Sequence, residues 1–362
     1  MRSILEVGSE QLLYLRDKYA IMLIDNNIVT RSVNKIYKQN AWIVIELLIC
    51  HLFNKRYYKN QKKSNKIEQE NPMDYINFYN GGRIMSKKNP ITVSSWTLGD
   101  QCKFEDRVIA AKEAGYEGIG LRAETYVDAL NEGLHDEDIL AILDKHDMKV
   151  TEVEYIVQWC EEHRSYEQKY KEQMCFHMCE LFGVGHINCG LMENYSVEYT
   201  AQKLKELCQR AGKYIIGVEP MPYSGIPDLK KGWEVVKASG CDNAMLILDT
   251  WHWVRADQSY DILTPEIAKK VISIQINDAY ERPYAASILR DESMHDRLAP
   301  GTGAKDTAGF VKMIKDAGVD PKVVGVEVIS DAILGKGLKE AAAYTYENTE
   351  KVLKEVWPEL VD

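Results

Sequence analysis

From Ile91 to Val328 the chain alternates short β-branched runs with longer stretches at helical spacing, and it does so eight times. The predicted strands are "ITVSS" (91–95), "YEGIGLR" (116–122), "KVTEVEY" (149–155), "HINCGL" (186–191), "IIGVEP" (215–220), "AMLILDT" (244–250), "VISIQIND" (271–278) and "VVGVEV" (323–328). Between them, "FEDRVIAAKEAG" (104–115) and "FVKMIKDAG" (310–318) end on a capping glycine. "SVEYTAQKLKELCQRAG" (196–212) ends the same way and opens with Ser196 at its N-cap. Eight strand–helix units in about 270 residues have the size of a (β/α)8 barrel. A doubly wound sheet is the alternative, but it usually carries a Gly-rich phosphate loop after its first strand, and "SSWTLGDQC" offers none. The predicted class is therefore α/β, a (β/α)8 barrel over residues 85–362.

Barrel chemistry sits at the carboxyl ends of the strands. "IIGVEP" leads a buried strand straight into Glu219, and its near copy "VVGVEV" puts Glu327 in the same place. An unpaired carboxylate is not tolerated there, so two of them call for a positive partner. Asp249 ends the sixth strand in "LILDTWHW", and Gln275 lies in the seventh in "SIQIND". Strands five to eight are neighbours in a barrel, so Glu219, Asp249, Gln275 and Glu327 can converge. Three carboxylates and an amide oxygen make a hard shell that suits Mn²⁺ or Mg²⁺ better than Zn²⁺. For any one carboxylate, an arginine or a helix N-terminus is the alternative partner.

His252 follows Asp249 by three residues. It either faces the substrate as an acid/base or hydrogen-bond donor, or packs between Trp251 and Trp253. Glu219, Glu327 and His252 are the candidates for base and acid. Trp96 stacks on a sugar ring or serves as a structural aromatic. Arg122 binds a hydroxyl or carbonyl oxygen, or pairs with Glu154. The loop "HDRLAPGTG" (295–303) carries His295 and Arg297 over the pocket or into solvent. His186 opens a strand and belongs to the stability face, whereas His163 and His177 are expected on a helix.

The first 84 residues read differently from the rest. Asn, Ile, Lys and Tyr supply 36 of them, with three glycines and two alanines, and no stable period emerges. "AWIVIELLICHLF" (41–53) is too short to span a bilayer and contains Glu46. No cleavage site follows it, and "KNQKKSNKIEQEN" (59–71) has a disordered composition. "NGGRIM" (80–85) can be encoded by purine-rich triplets of ribosome-binding type, so the expectation is translated upstream sequence with a natural start at Met85. A genuine flexible extension is the alternative, and N-terminal sequencing of the native protein separates the two. This segment holds 13 Lys+Arg against 8 Asp+Glu, whereas the remaining 278 residues hold 32 against 47. An acidic body argues against a nucleic-acid partner. The eight cysteines show no CxxC pair, which fits reduced thiols in a cytoplasmic protein. Cys175 and Cys179 are expected on one helix face.

Residues 89–357 resemble the xylose isomerase-like TIM barrels, a family of sugar isomerases and epimerases. The resemblance rests on "GVEP", "LDTWH", "RLAPGTG" and "GVEV". It implies one Mn²⁺, Mg²⁺ or Co²⁺ held by Glu219, Asp249 and Glu327. The family has a histidine at the strand-seven position, where this chain has Gln275. Within the family, "SSWTLGDQCKFEDRVIAAKEAGYEGIGLRAETY" and "SIQINDAYERPYA" are most similar to the catalytic subunit of bacterial C-glycoside deglycosidases. That similarity implies cleavage of the C–C bond between a 3-oxo-sugar and its aglycone, with a divalent metal and a small β-type partner subunit. A metal-dependent keto-sugar isomerase or 3-epimerase shares the first step, proton removal beside a metal-polarised carbonyl. A non-catalytic scaffold subunit is the reading from another class. The intact acidic trio argues against it.

Overall fold

The computed structural model describes residues 90–361. The segment 1–84 and the expected start at Met85 lie outside the described residues. Eight parallel strands form a closed barrel in chain order: β1 (Ile91–Ser94), β2 (Gly118–Arg122), β3 (Lys149–Ile156), β4 (His186–Cys189), β5 (Ile215–Val218), β6 (Ala244–Asp249), β7 (Val271–Ile276) and β8 (Val323–Val326). β8 closes on β1 with Thr92 opposite Gly325. All eight predicted strands are present, most of them shorter than the apolar runs that announce them. Glu219 and Glu327 fall one residue past β5 and β8, where the chain leaves the ladder at the barrel mouth.

Strand alternation sets what lies beneath that mouth. Ile215, Gly217 and Glu219 share one face of β5 and its exit, and Met245, Ile247 and Asp249 share one face of β6. Ile215, Met245, Ile247 and Ile272 form a small apolar cluster separate from the main core. Gly217 is needed here, because a Cβ on it would lie 2.6 Å from Ile247 Cδ1. The interior turns polar on the neighbouring strands: His186, opening β4 beside Ile215, lies 3.3 Å from Glu152, and both are buried. The larger core fills the space between strands and helices.

The expected helix signals are in place. Phe104–Ala114 stops at Gly115, which has φ 110°. Ser196 caps Val197–Ala211 by accepting from the Tyr199 amide at 3.2 Å. The helix expected near 310 starts earlier, at Thr307, because Asp306 caps it by accepting from the Gly309 amide. Cys175 and Cys179 are buried on the helix Tyr166–Phe182, and the seven described cysteines are free. No helix among the described residues is long and apolar enough to cross a membrane.

The stretch read as a long loop at 295–303 is tied down. His295 ends the helix Leu289–His295, and antiparallel bridges join Asp278 to Leu298 and Asp296 to Ser330. The Arg297 amide also donates to the Ile329 carbonyl at 3.0 Å. This strap crosses the exits of β7 and β8 and carries Arg297 inward.

Candidate active site

The site is assembled from side chains at the exits of β5 to β8. Asp249 ends β6 and caps the helix Thr250–Arg255, its Oδ1 accepting from the His252 amide at 2.9 Å. That one helical turn places the His252 imidazole back over the mouth, with Nε2 3.3 Å from Glu219 Oε1. Among the described residues, Glu219, Asp249 and His252 form the group whose ligand atoms all lie within 4.8 Å of one another. All three are buried. Glu219 Oε1 has no hydrogen-bond partner among the described residues. Donor atoms about 2.1 Å from one ion lie at most about 4.2 Å apart, so this trio fits a divalent cation after closing by a few tenths of an ångström.

Glu327 is held differently. Its Oε2 lies 3.1 Å from Arg297 Nη1, and its Oε1 lies 3.7 Å from Arg122 Nη1. Arg297 is 2% exposed and also pairs with Asp249 Oδ2 at 3.0 Å. Its Nε and Nη2 donate to the carbonyl and hydroxyl of Ser293. Asn277 completes the cluster: Nδ2 donates to Asp249 Oδ2 at 2.6 Å and to the Glu327 carbonyl at 3.2 Å, while Oδ1 accepts from the Trp251 amide.

A second group lies towards β2 and β3. The Arg122 guanidinium sits 3.6 Å from the Trp96 ring centroid and 4.9 Å from that of Tyr155, and Nη1 is 3.6 Å from Glu154 Oε2. Arg122 Nε is buried without a hydrogen-bond partner among the described residues. Glu154 Oε1 accepts from Asn188 at 3.1 Å and from Gln275 Nε2 at 3.2 Å.

Burial governs the electrostatics. It pushes the carboxyls of Glu219, Asp249 and Glu327 above the usual range, against the pull of Arg297. Burial, reinforced by Glu327 and Glu152, raises Glu154 well above it. Burial also pushes His252 down to about 4, with Asp249 opposing, so its imidazole is neutral near pH 7. Burial opposes the charge on both arginines, yet their carboxylate neighbours hold them protonated, Asp249 and Glu327 for Arg297 and Glu154 and Glu327 for Arg122.

The structure thus brings together Glu219, Asp249, His252, Glu327 and Arg297, with Arg122, Glu154, Trp96 and Gln275 alongside. Gln275 Nε2 donates to Glu154 Oε1, while its Oε1 is buried with no hydrogen-bond partner among the described residues. His295 stands apart, with a side chain 61% exposed and paired to Asp331. His177 lies on its helix against Tyr126 and Asp136, and His163 is exposed just before that helix. The residue that sequence reasoning missed is Asn277. Its signal was available, because it lies two positions beyond Gln275 and so on the same strand face. Ser293 and Tyr223, which share a hydrogen bond at 3.1 Å beside Arg297, carried no such signal.

The chain is a closed parallel barrel with a buried acid–imidazole cluster at its carboxyl mouth, the face on which barrels of this architecture carry their functional groups. Residues 108–348 match the family described as the xylose isomerase-like TIM barrel, and the chain belongs to that family. The inosose isomerase of Bacillus velezensis is 27% identical over 159 residues, 42% of this chain and 54% of its own length. The chain therefore spans about half of that relative. The inosose isomerase of Bacillus licheniformis is 24% identical over 203 residues, 53% of this chain and 70% of its own. A 3-dehydroshikimate dehydratase of Pseudomonas aeruginosa is 28% identical over 121 residues, 33% of this chain and 19% of its own. Among solved structures, the IolI protein with a bound zinc atom superposes with a TM-score of 0.65 at 19% identity, covering 74% of this chain and 99% of that one. An L-ribulose 3-epimerase gives a TM-score of 0.56 at 14% identity, covering 76% and 98%. These similarities in structure establish the shared fold.

Proposed function

We propose that this protein is a divalent-metal enzyme that removes a proton from the carbon beside a carbonyl of a polyhydroxylated substrate. The single observation that supports this reading is the convergence of Glu219, Asp249 and His252 next to a separate carboxylate, Glu327. Glu219 and Asp249 would hold the ion, Mn²⁺ being the proposed metal and Mg²⁺ or Co²⁺ alternatives. When bound, the ion supplies an electrophile for the substrate carbonyl. Glu327 acts as the base. Its raised carboxyl pKa brings it nearer the operating pH, and Arg122 and Arg297 fix it in place. The free Arg122 Nε–H is a donor for a substrate oxygen. Trp96 lines the same side of the mouth.

The specific reaction we propose is C-deglycosylation. Loss of the proton beside the keto group of a 3-oxo-C-glycoside is followed by breakage of the C1–aryl bond, and the leaving carbon takes up a proton. The sequence resemblance to C-glycoside deglycosidases supports it, and with it a small β-type partner subunit and a cytoplasmic setting. The names of the relatives support a second reading, keto-sugar or inosose isomerisation, in which the proton returns to carbon. Both predict metal-dependent exchange of that carbon-bound proton with D₂O, read by NMR on a 3-oxo-C-glucoside and on an inosose. Free aglycone marks the lyase, and an isomerised ketone marks the isomerase. Absence of exchange on both substrates, with Mn²⁺ bound and the partner subunit present, rejects the enzymatic reading in favour of a scaffold.

A further inference from the structure

We propose that Arg255 and Glu292, a buried ion pair outside the acid–imidazole cluster, are positioning residues: they seat the helix Leu289–His295 so that Ser293 holds Arg297 against Asp249 and Glu327. The effect on catalysis rests on the reading of Glu327 as the base, whereas the effect on Arg297 stands without it.

The two side chains are 2% and 0% exposed. A buried ion pair adds little stability over an apolar pair of similar volume, so its place in a fold calls for another account. Arg255 ends the helix Thr250–Arg255, three residues after His252. Its Nε donates to Glu292 Oε1 at 2.8 Å, and its Nη2 donates both to that oxygen and, at 2.8 Å, to the Tyr280 carbonyl. Glu292 Oε2 accepts from the Tyr284 amide at 2.7 Å. The pair thus ties the excursion after β7, at Tyr280 and Tyr284, to the helix after β6. Residues 280–288 are exposed throughout, so these hydrogen bonds anchor a segment with little packing of its own. Ser293 follows Glu292 directly. Its carbonyl accepts from Arg297 Nε at 2.8 Å and its hydroxyl from Nη2 at 2.9 Å. Arg297 Nη1 is thereby aimed at Asp249 Oδ2, 3.0 Å away, and at Glu327 Oε2, 3.1 Å away. The guanidinium is a rigid fork, so a shift of Ser293 on one side turns the donor on the other side away from both carboxylates. One continuous chain of contacts therefore runs from Arg255 through Glu292, Ser293 and Arg297 to Glu327.

The first test reads Arg297 and not activity. The full chain is labelled with ¹⁵N at arginine, and hydrogen exchange of the Arg297 Nε–H, identified by its loss in R297M, is followed by NMR. Removing one charge strands the other, so the decisive variant is R255M/E292M, which removes both and should melt close to wild type. Its Arg297 Nε–H should nevertheless exchange at least about tenfold faster than in wild type. E292Q keeps the shape of Glu292 but offers one acceptor oxygen for two partners, and it carries the same test with the same expected direction if the double variant does not fold. Wild-type protection of Arg297 in a folded variant overturns the proposal and leaves the pair a structural contact. In the second arm, carbon–deuterium exchange on the 3-oxo-C-glucoside with Mn²⁺ should lose kcat by about 10–100-fold with KM within about threefold, because Arg297 orients the base and not the substrate. A rise in KM alone, or an unchanged kcat beside a loosened Arg297, overturns the catalytic role. Wild-type protein that exchanges no substrate removes the enzymatic reading, while the NMR arm still decides whether the pair positions Arg297.

Discussion

The most informative perturbation is Arg297→Met. The guanidinium is buried between Asp249 Oδ2 at 3.0 Å and Glu327 Oε2 at 3.1 Å, and methionine fills much of its volume without its charge. Removing one partner of a buried ion pair costs about 3–5 kcal/mol, because the remaining charge is stranded. At roughly 2–4 °C per kcal/mol for a domain of this size, the metal-free variant should melt about 10 °C lower at pH 8. The loss depends on pH with a definite sign. The folded-state carboxyls of Asp249 and Glu327 are already raised by burial, and without Arg297 they rise further. A carboxyl with a raised folded pKa penalises folding above that pKa, and the penalty disappears as pH falls to the unfolded value. The deficit should therefore be smaller at pH 5 than at pH 8. Differential scanning calorimetry in chelator, at both pH values, measures it. Saturating Mn²⁺ should recover part of the loss at pH 8. A metal-free R297M protein as stable as wild type at pH 8 would refute the claim that these carboxylates are ionised and depend on the guanidinium.

Other outcomes follow from the same geometry. Asn277→Asp sets a carboxylate against Asp249 Oδ2, 2.6 Å from the present amide nitrogen, and should weaken Mn²⁺ binding and lower the melting temperature in chelator. Gly217→Ala drives a methyl to 2.6 Å from Ile247 Cδ1; it should cost about 1–3 kcal/mol in urea unfolding, and Ile247→Val should recover part of that. Burial opposes ionisation of Glu152, but the His186 hydrogen bond helps hold its carboxyl below the usual range. That stabilisation is present above the unfolded carboxyl pKa and is lost as pH falls through the folded one. His186→Leu should therefore destabilise at pH 7 and approach wild type in acid unfolding near pH 3. Glu327→Gln should abolish carbon–deuterium exchange while retaining Mn²⁺ binding, as calorimetry on the same sample shows.

The barrel was legible because most strands, β5, β6 and β8 above all, are short apolar, β-branched runs between turn signals, the pattern of strands buried on both faces. Glu219, Glu327 and Asp249 were legible for the complementary reason, since a charge closing such a run has no structural use unless the mouth provides a partner. What escaped is set by one-turn and cross-barrel geometry. The turn after Asp249 decides whether His252 looks into the cluster, and spacing alone left both orientations open. Gln275 sits on the inward face as expected, yet its amide nitrogen donates to Glu154, which lies 121 positions away in sequence. Arg297 and His295, two residues apart in one apparent loop, have opposite fates. The bridge from Asp278 to Leu298 pulls Arg297 inward, while His295 ends a helix facing solvent. No local pattern records that bridge.

The central claim is one divalent ion at the exits of β5 and β6. A crystal of the full chain soaked in Mn²⁺ and measured for anomalous scattering tests it most directly. The account predicts a single strong peak in contact with Glu219 and Asp249. An empty mouth, or a peak only at surface carboxylates, contradicts it.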